Sequence, residues 1–256
     1  MTPPGAPRVT ALYRYPVKGL TPERLAEAEL SPGQTVPHDR AWAIENGPGR
    51  FDPAAPKHMP KINFLMLMRN ERLATLETHF DTVSETLIIR QGGQEVARGQ
   101  LTTEPGRATI EHFLAGYMKA DLRGAPHIVR APGHSFSDVR QKCVHIVNLA
   151  SVRELERVAG RAIDPLRFRP NIVIDDAEPW AEFSWVDKHI SIGPARLDVF
   201  TRTQRCAATE VEPATGARNL SLPALLLRTY GHTDFGIYAT VSDGGTVRPG
   251  DAITAS

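Results

Sequence analysis

The sequence predicts a β-rich α+β fold, on three observations. Twenty-one prolines and twenty glycines cut the 256 residues into short segments. Many of those segments alternate apolar and polar side chains, and few stretches carry helical spacing. Alternation at period two turns one face of an extended chain to a core and the other to water, the mark of a half-buried strand.

In chain order, strands are expected at Arg8–Val17 (RVTALYRYPV), Ala26–Ser31 (AEAELS), Arg40–Asn46 (RAWAIEN), Leu73–Phe80 (LATLETHF), Thr86–Gln91 (TLIIRQ) and Gln94–Leu101 (QEVARGQL). Gly92 and Gly93 join the last two as a two-residue hairpin. A helix follows over Gly106–Met118, where Ile110, Phe113, Leu114 and Tyr117 recur at helical spacing and Thr103 or Thr109 could begin it. The segment Gly124–Gly133 (GAPHIVRAPG) marks a boundary between a first domain, residues 1–122, and a second, residues 123–256. In the second, Asn148–Gly160 is the clearest helix: Leu149, Val152, Leu155 and Val158 share a face, and Gly160 ends it. Strands then fall at Asn171–Asp176, His189–Gly193, Ala195–Thr203 and Gly236–Gly245, with a helix at Ser221–Tyr230 between Pro223 in its first turn and Gly231 beyond its end.

Composition narrows the function classes. Hydrophobic residues make up 41% and charged residues 23%, and the formal net charge is +1, so a nucleic acid partner is not expected and any basic site must be local. The start, MTPPGAPRV, lacks the basic and apolar runs of a signal peptide, and no stretch reaches the length of apolar chain that spans a bilayer. Two cysteines, Cys143 and Cys206, are too few for a disulfide framework or a CxxC metal site. A soluble cytoplasmic protein without a membrane partner is expected.

Cys206 is the first candidate for chemistry. It lies in TRTQRCAATEVEPATG, where Arg202 and Arg205 supply cations that favour a thiolate, and where a strand gives way to a turn. The commoner state of a single cysteine is a small buried hydrophobe, and that reading stays open; Cys143, in an apolar run, is assigned to the core. In LRFRPNIVIDD, Arg167 and Arg169 stand two apart, so an extended chain would point both the same way, toward a phosphate or carboxylate. Ion pairs with Asp164, Asp175 or Asp176 are the equal alternative. Lys18 precedes Gly19 where a strand breaks, and a bare backbone there lets an anion approach. Arg40 stands just before a strand in HDRAW. The nine histidines show no zinc-ligand spacing; His127, His134 and His145 read as ordinary polar residues. GxGxxG, Walker A, GxSxG and EF-hand patterns are absent.

Together YPVKGL, DRAW, RFRPNIVID, the RC of TRTQRC, and FGIYATV with GTVRPGD resemble the MOSC family, the C-terminal domain type of molybdenum cofactor sulfurases, along with the N-terminal β-barrel domain that often precedes it. The plan is similar to bacterial and mitochondrial amidoxime-reducing proteins. The resemblance implies two packed β-barrel domains with a few helices and the molybdenum cofactor, a molybdopterin carrying molybdenum. It implies Cys206 as the metal ligand, Lys18, Gly19, Arg40, Arg169 and Asn171 around the pterin and its phosphate, Arg205 beside the sulfur, and Asp138 of SFSDVR as a candidate acid. Gly19 departs from the serine common in relatives, so a backbone N–H replaces a hydroxyl. The implied activity is reduction of small N-hydroxylated or related N-oxygenated compounds. Two cysteines cannot hold a [2Fe–2S] cluster, so electrons must come from a separate electron-transfer protein. The rival from another class is a non-catalytic carrier of the cofactor or of sulfur as a Cys206 persulfide. A pyridoxal phosphate site with Lys18 as Schiff base is a third reading; it lacks an identifiable partner for the pyridine nitrogen.

Overall fold

A computed structural model describes residues 5–255. In chain order its elements are β1 (Arg8–Arg14), β2 (Glu23–Leu25), β3 (Ala28–Leu30), β4 (Ala43–Asn46), β5 (Glu77–Asp81), β6 (Thr86–Gln91), β7 (Gln94–Gln100), α1 (Glu104–Tyr117), β8 (Pro126–Val129), β9 (Val144–Asn148), α2 (Leu149–Ala159), β10 (Ile172–Asp175), β11 (His189–Ile192), β12 (Ala195–Gln204), α3 (Leu222–Tyr230), β13 (Asp234–Asp243), β14 (Gly245–Val247) and β15 (Ile253–Ala255). The β-rich α+β class expected from the sequence holds.

Eight strands form one sheet in the order β15-β11-β12-β13-β9-β10-β1-β2. A bridge between Arg8 and Ala252 brings the edge at β15 back to β1, so the sheet curls toward a closed barrel and covers its own hydrogen-bonding edge. Its core joins Val9, Leu12 and Leu30 to Ile146, Ile174, Leu197 and Ile237; the first strands thus complete a barrel built mostly from the second half of the chain. A second core, from Val17 to Ile128, lies under the β5-β6-β7 meander, α1 and the β4–β8 pair. A third joins α2 and α3 through Val152, Leu155, Leu222 and Leu226, with Phe168 and Phe235 stacked 3.8 Å apart.

Local chemistry explains most boundaries. The Gly92–Gly93 turn has φ of 56° and 77°, the paired positive values a tight hairpin requires and glycine adopts freely. Thr103 caps α1 by accepting the Gly106 N–H, and Gly160 and Gly231 end α2 and α3 in the left-handed conformation.

One expectation is corrected, and two strands appear that the alternation does not predict. Leu73–Phe80 is not one strand: Glu71–Thr75 forms a 3-10 turn and β5 starts at Glu77, because Leu73 and Leu76 are both buried and their three-residue spacing suits a 3-10 turn. β9 was not foreseen, since all five of its residues are buried between β13 and β10 and no alternation survives. β8 arises inside Gly124–Gly133 and pairs antiparallel with β4.

Candidate functional site

The two halves meet around a cavity of about 350 Å³. Lys18, Gly19, Arg40, Asp138, Arg169, Asn171, Arg205 and Cys206 all line it. Seven cationic and two acidic residues are among those that line this space, so a chain of net charge +1 concentrates positive charge in one place.

Cys206 follows the end of β12 and opens a 3-10 turn, Ala207–Glu210; it is half-buried. Its sulfur accepts a hydrogen bond from Lys61 Nζ at 3.3 Å. Lys61 also donates to Asp138 at 3.3 Å, and Asp138 pairs closely with Lys18, whose Nζ donates to the Phe136 carbonyl at 2.8 Å. A chain of polar contacts therefore runs from the sulfur to a buried lysine. Partial burial pushes the Asp138 carboxyl up, but the Lys18 and Lys61 ammoniums outweigh it and hold it below the usual carboxylate range. Asp138 thus anchors two lysines, and the pull of their charges favours its carboxylate form.

The arginines divide. Arg205 donates to the Phe168 carbonyl at 2.8 Å and lies against His145 Nε2 at 3.4 Å, so the sulfur's partner is Lys61 and not Arg205. Arg202 turns its guanidinium over the Phe183 ring at 4.4 Å. Arg167 and Arg169 do not point the same way, because Pro165–Phe168 is a 3-10 turn and Arg169 is left-handed at φ 54°. Arg167 reaches the Glu210 carbonyl at 2.9 Å and Asn219 at 2.6 Å, bracing the turn behind Cys206. The ion pairs considered for it are not made: Asp164 caps the Leu166 N–H and Asp175 pairs with Arg153.

Arg40 pairs with Asp39 and donates to the Arg169 carbonyl at 3.4 Å. Arg169 donates to the Leu20 carbonyl at 2.9 Å, and burial pulls its guanidinium down to about 10. Asn171 donates from Nδ2 to the Tyr13 carbonyl and accepts the His145 N–H at 3.1 Å; its amide fastens β1 to β9 under the cavity floor. Gly19 has φ +86°, and a Cβ there would come 2.9 Å from the Leu65 carbonyl oxygen, so backbone geometry and packing demand glycine.

Sequence reasoning missed Lys61 and His145. Lys61 meets Cys206 across 145 residues of chain and has no local signal. His145 is buried in the cavity wall, with burial holding its imidazole well below its usual range; a histidine inside the apolar run KCVHIV was the available clue. Cys143 is buried, as expected, with its thiol pushed up to about 12, but it also lines the cavity. His127 and His134 do not line the cavity.

One nitrogen of Arg169 and Nε of Arg205 are buried without a partner. Unpaired buried donors in a cationic cavity fit an anionic ligand, and the volume suits a small cofactor. Among the described residues no three His, Cys, Asp or Glu side chains converge on a metal position. Cys206 offers one half-buried sulfur beside these cations, whereas the Cys143 thiol is buried; a single soft sulfur donor next to an anion-binding wall suits a metal that a cofactor already chelates, as in the molybdenum cofactor.

The sequence comparisons agree with this class of protein. The MOSC N-terminal β-barrel domain matches residues 6–124 and the MOSC domain matches residues 131–254. The chain belongs to the MOSC family. It is 25% identical over 282 residues to mitochondrial amidoxime-reducing component 1 of Homo sapiens, covering 96% of this chain and 82% of that one. It is 24% identical over 251 residues to the molybdenum cofactor sulfurase of Homo sapiens, covering 82% of this chain and 27% of that one. The crystal structure of the YuaD protein from Bacillus subtilis aligns over 98% of this chain and 96% of that one, at 11% identity and a TM-score of 0.46. No helix among the described residues is long and apolar enough to cross a membrane.

Proposed function

We propose that this cavity binds the molybdenum cofactor and that the protein is a reductase of small N-hydroxylated or related N-oxygenated compounds. One observation carries the reading: Cys206, Arg169 and Arg205 line a single cationic cavity, and each of the two arginines keeps one buried guanidinium nitrogen without a partner. The amidoxime-reducing component's name supports the substrate class.

In this reading Cys206 is the protein's one metal ligand. Lys18, Arg40 and Arg169 hold the phosphate of the pterin, the Gly19 backbone lets it approach, and Asn171 fixes the floor beneath. Arg205 keeps its charge behind the sulfur, while Lys61, anchored by Asp138, donates to the sulfur directly. When bound, the cofactor supplies two-electron oxygen-transfer chemistry. The overall reaction breaks an N–O bond, consumes two electrons and two protons, and releases water. The electrons come from a separate electron-transfer protein, and neither nucleic acid nor membrane takes part. The site lies between the two sequence regions, 1–122 and 123–256, with the first strands of the former completing the barrel of the latter, and the setting is cytoplasmic.

A second reading rests on the Lys61 contact: an ammonium 3.3 Å from the sulfur suits a persulfide anion as well as a metal thiolate. The protein is then a carrier of cofactor or sulfur. Metal and pterin analysis of freshly purified protein, with and without Cys206→Ala, combined with a benzamidoxime reduction assay, separates the two. Cofactor lost in the variant together with turnover in the wild type supports the reductase. Bound cofactor without turnover, given any reducing partner, supports the carrier. A fully loaded Cys206→Ala protein removes the ligand assignment.

A further inference from the structure

The two arginines of the cradle share a neighbour that neither the sequence reading nor the proposed function uses. Tyr15 is fully buried. The guanidinium carbon of Arg169 lies 4.0 Å from its ring centroid and that of Arg40 lies 4.8 Å from it. Both arginines hold left-handed backbone, with φ of 54° and 52°, a conformation that non-glycine residues adopt at a cost when the surroundings enforce it.

The enforcement around Arg40 comes from Tyr15 itself. The Arg40 N–H donates to the Tyr15 carbonyl at 2.7 Å. Asp39 Oδ1 accepts the Tyr15 N–H at 2.8 Å, and its other carboxylate oxygen takes the Arg40 guanidinium. Arg169 is held differently. Among the described residues no carboxylate pairs with it; it has the Leu20 carbonyl, the Tyr15 ring face and one nitrogen without a partner. Two like charges seated on one ring repel, and Arg40 adds to the cost of charging Arg169. An aromatic face, with its negative quadrupole, offsets part of that repulsion, and an anion offsets the rest.

We propose that Tyr15 is the positioning residue of the anion cradle: its ring seats both the Arg40 and the Arg169 guanidiniums and holds Arg169, with its unpartnered nitrogen, at the cavity wall for a phosphate group. The proposal rests on the reading of the cavity as the cofactor site. It requires the face of the ring and not the hydroxyl, since Tyr15 OH has no hydrogen-bond partner. Phenylalanine keeps the face, whereas leucine keeps an apolar side chain without it.

The test uses the full chain, prepared free of cofactor and labelled with 15N, with inorganic phosphate as the probe. Protons above an aromatic face resonate upfield, so the Nε–H signals of Arg40 and Arg169, assigned with Arg→Lys variants, report their seat on the ring before any ligand is added. In the wild type both are expected upfield, and the Arg169 signal is expected to move with phosphate. Tyr15→Phe keeps the upfield positions and binds phosphate within twofold of wild type. Tyr15→Leu loses the upfield positions and binds about tenfold more weakly, the effect of about one strong cation–π contact. Wild-type signals at ordinary positions overturn the platform whether or not any variant folds. Wild-type affinity in Tyr15→Leu, or equal loss in both variants, overturns it too. Upfield signals that ignore phosphate in the wild type overturn the phosphate cradle instead, and with it the cofactor reading.

Discussion

Replacing Arg169 by methionine should strengthen the fold of the empty protein while stripping its cofactor. Burial pulls the Arg169 guanidinium well below its ordinary value, down to about 10. The folded state therefore holds this proton less tightly than the unfolded chain, and at neutral pH it carries the whole penalty; stability would recover only as pH rose through that interval. At about 1.4 kcal/mol per tenfold, the shift corresponds to roughly 3 kcal/mol of unfavourable charge burial. That figure is already net of the attractions of the charge; what methionine forfeits besides is the hydrogen bond to the Leu20 carbonyl and the packing on the Tyr15 ring that an uncharged guanidine would also make, together worth about 2 kcal/mol. Methionine fills most of the volume without charge, so the net gain is about 1 kcal/mol. For a chain of this size that is about 2–4 °C in Tm. The assay pairs thermal unfolding of the cofactor-free protein with molybdenum analysis of protein purified from a cofactor-producing host. A variant that melts several degrees below wild type, or one that keeps its molybdenum, refutes the view that Arg169 is a charge retained for a ligand.

Three further outcomes are expected. Lys61→Met should lower molybdenum retention several-fold on gel filtration, with Lys61→Arg intermediate, because the Lys61 ammonium donates to the Cys206 sulfur; equal retention in all three proteins would show that the contact is incidental. Gly19→Ala should cost about 2 kcal/mol, or about 4–8 °C in Tm, since the residue sits at φ +86° with a backbone oxygen 2.9 Å from the new Cβ; an unchanged melt sinks the packing argument. Glu182 is fully buried, and although Asn148 and Ser151 hydrogen-bond to it, burial raises its carboxyl above the usual range. The folded state then binds that proton more tightly than the unfolded chain, so the Glu182 contribution to stability falls as pH rises through and above the ordinary carboxylate range. Glu182→Gln should flatten that fall, and identical pH–Tm curves for the two proteins would count against it.

Much of the fold was legible because its signals are local. Alternation marked β1, β6, β7 and β12, paired glycines marked a hairpin, and terminal glycines marked the ends of α2 and α3. β9 was hidden because a strand buried on both faces carries no alternation. The sequence also named Lys18, Gly19, Arg40, Asp138, Arg169, Asn171, Arg205 and Cys206, and the fold brings them around one cavity. Which of them faces which partner was a matter of tertiary structure. The left-handed turn at Arg169 separates it from Arg167, Asp138 becomes an anchor between two lysines, and Lys61 reaches the sulfur from 145 residues away. A sequence fixes what each side chain can donate, accept or bury; the packing of distant segments decides what stands within 3 Å of it, and in a cavity lined by cations that distance selects the chemistry.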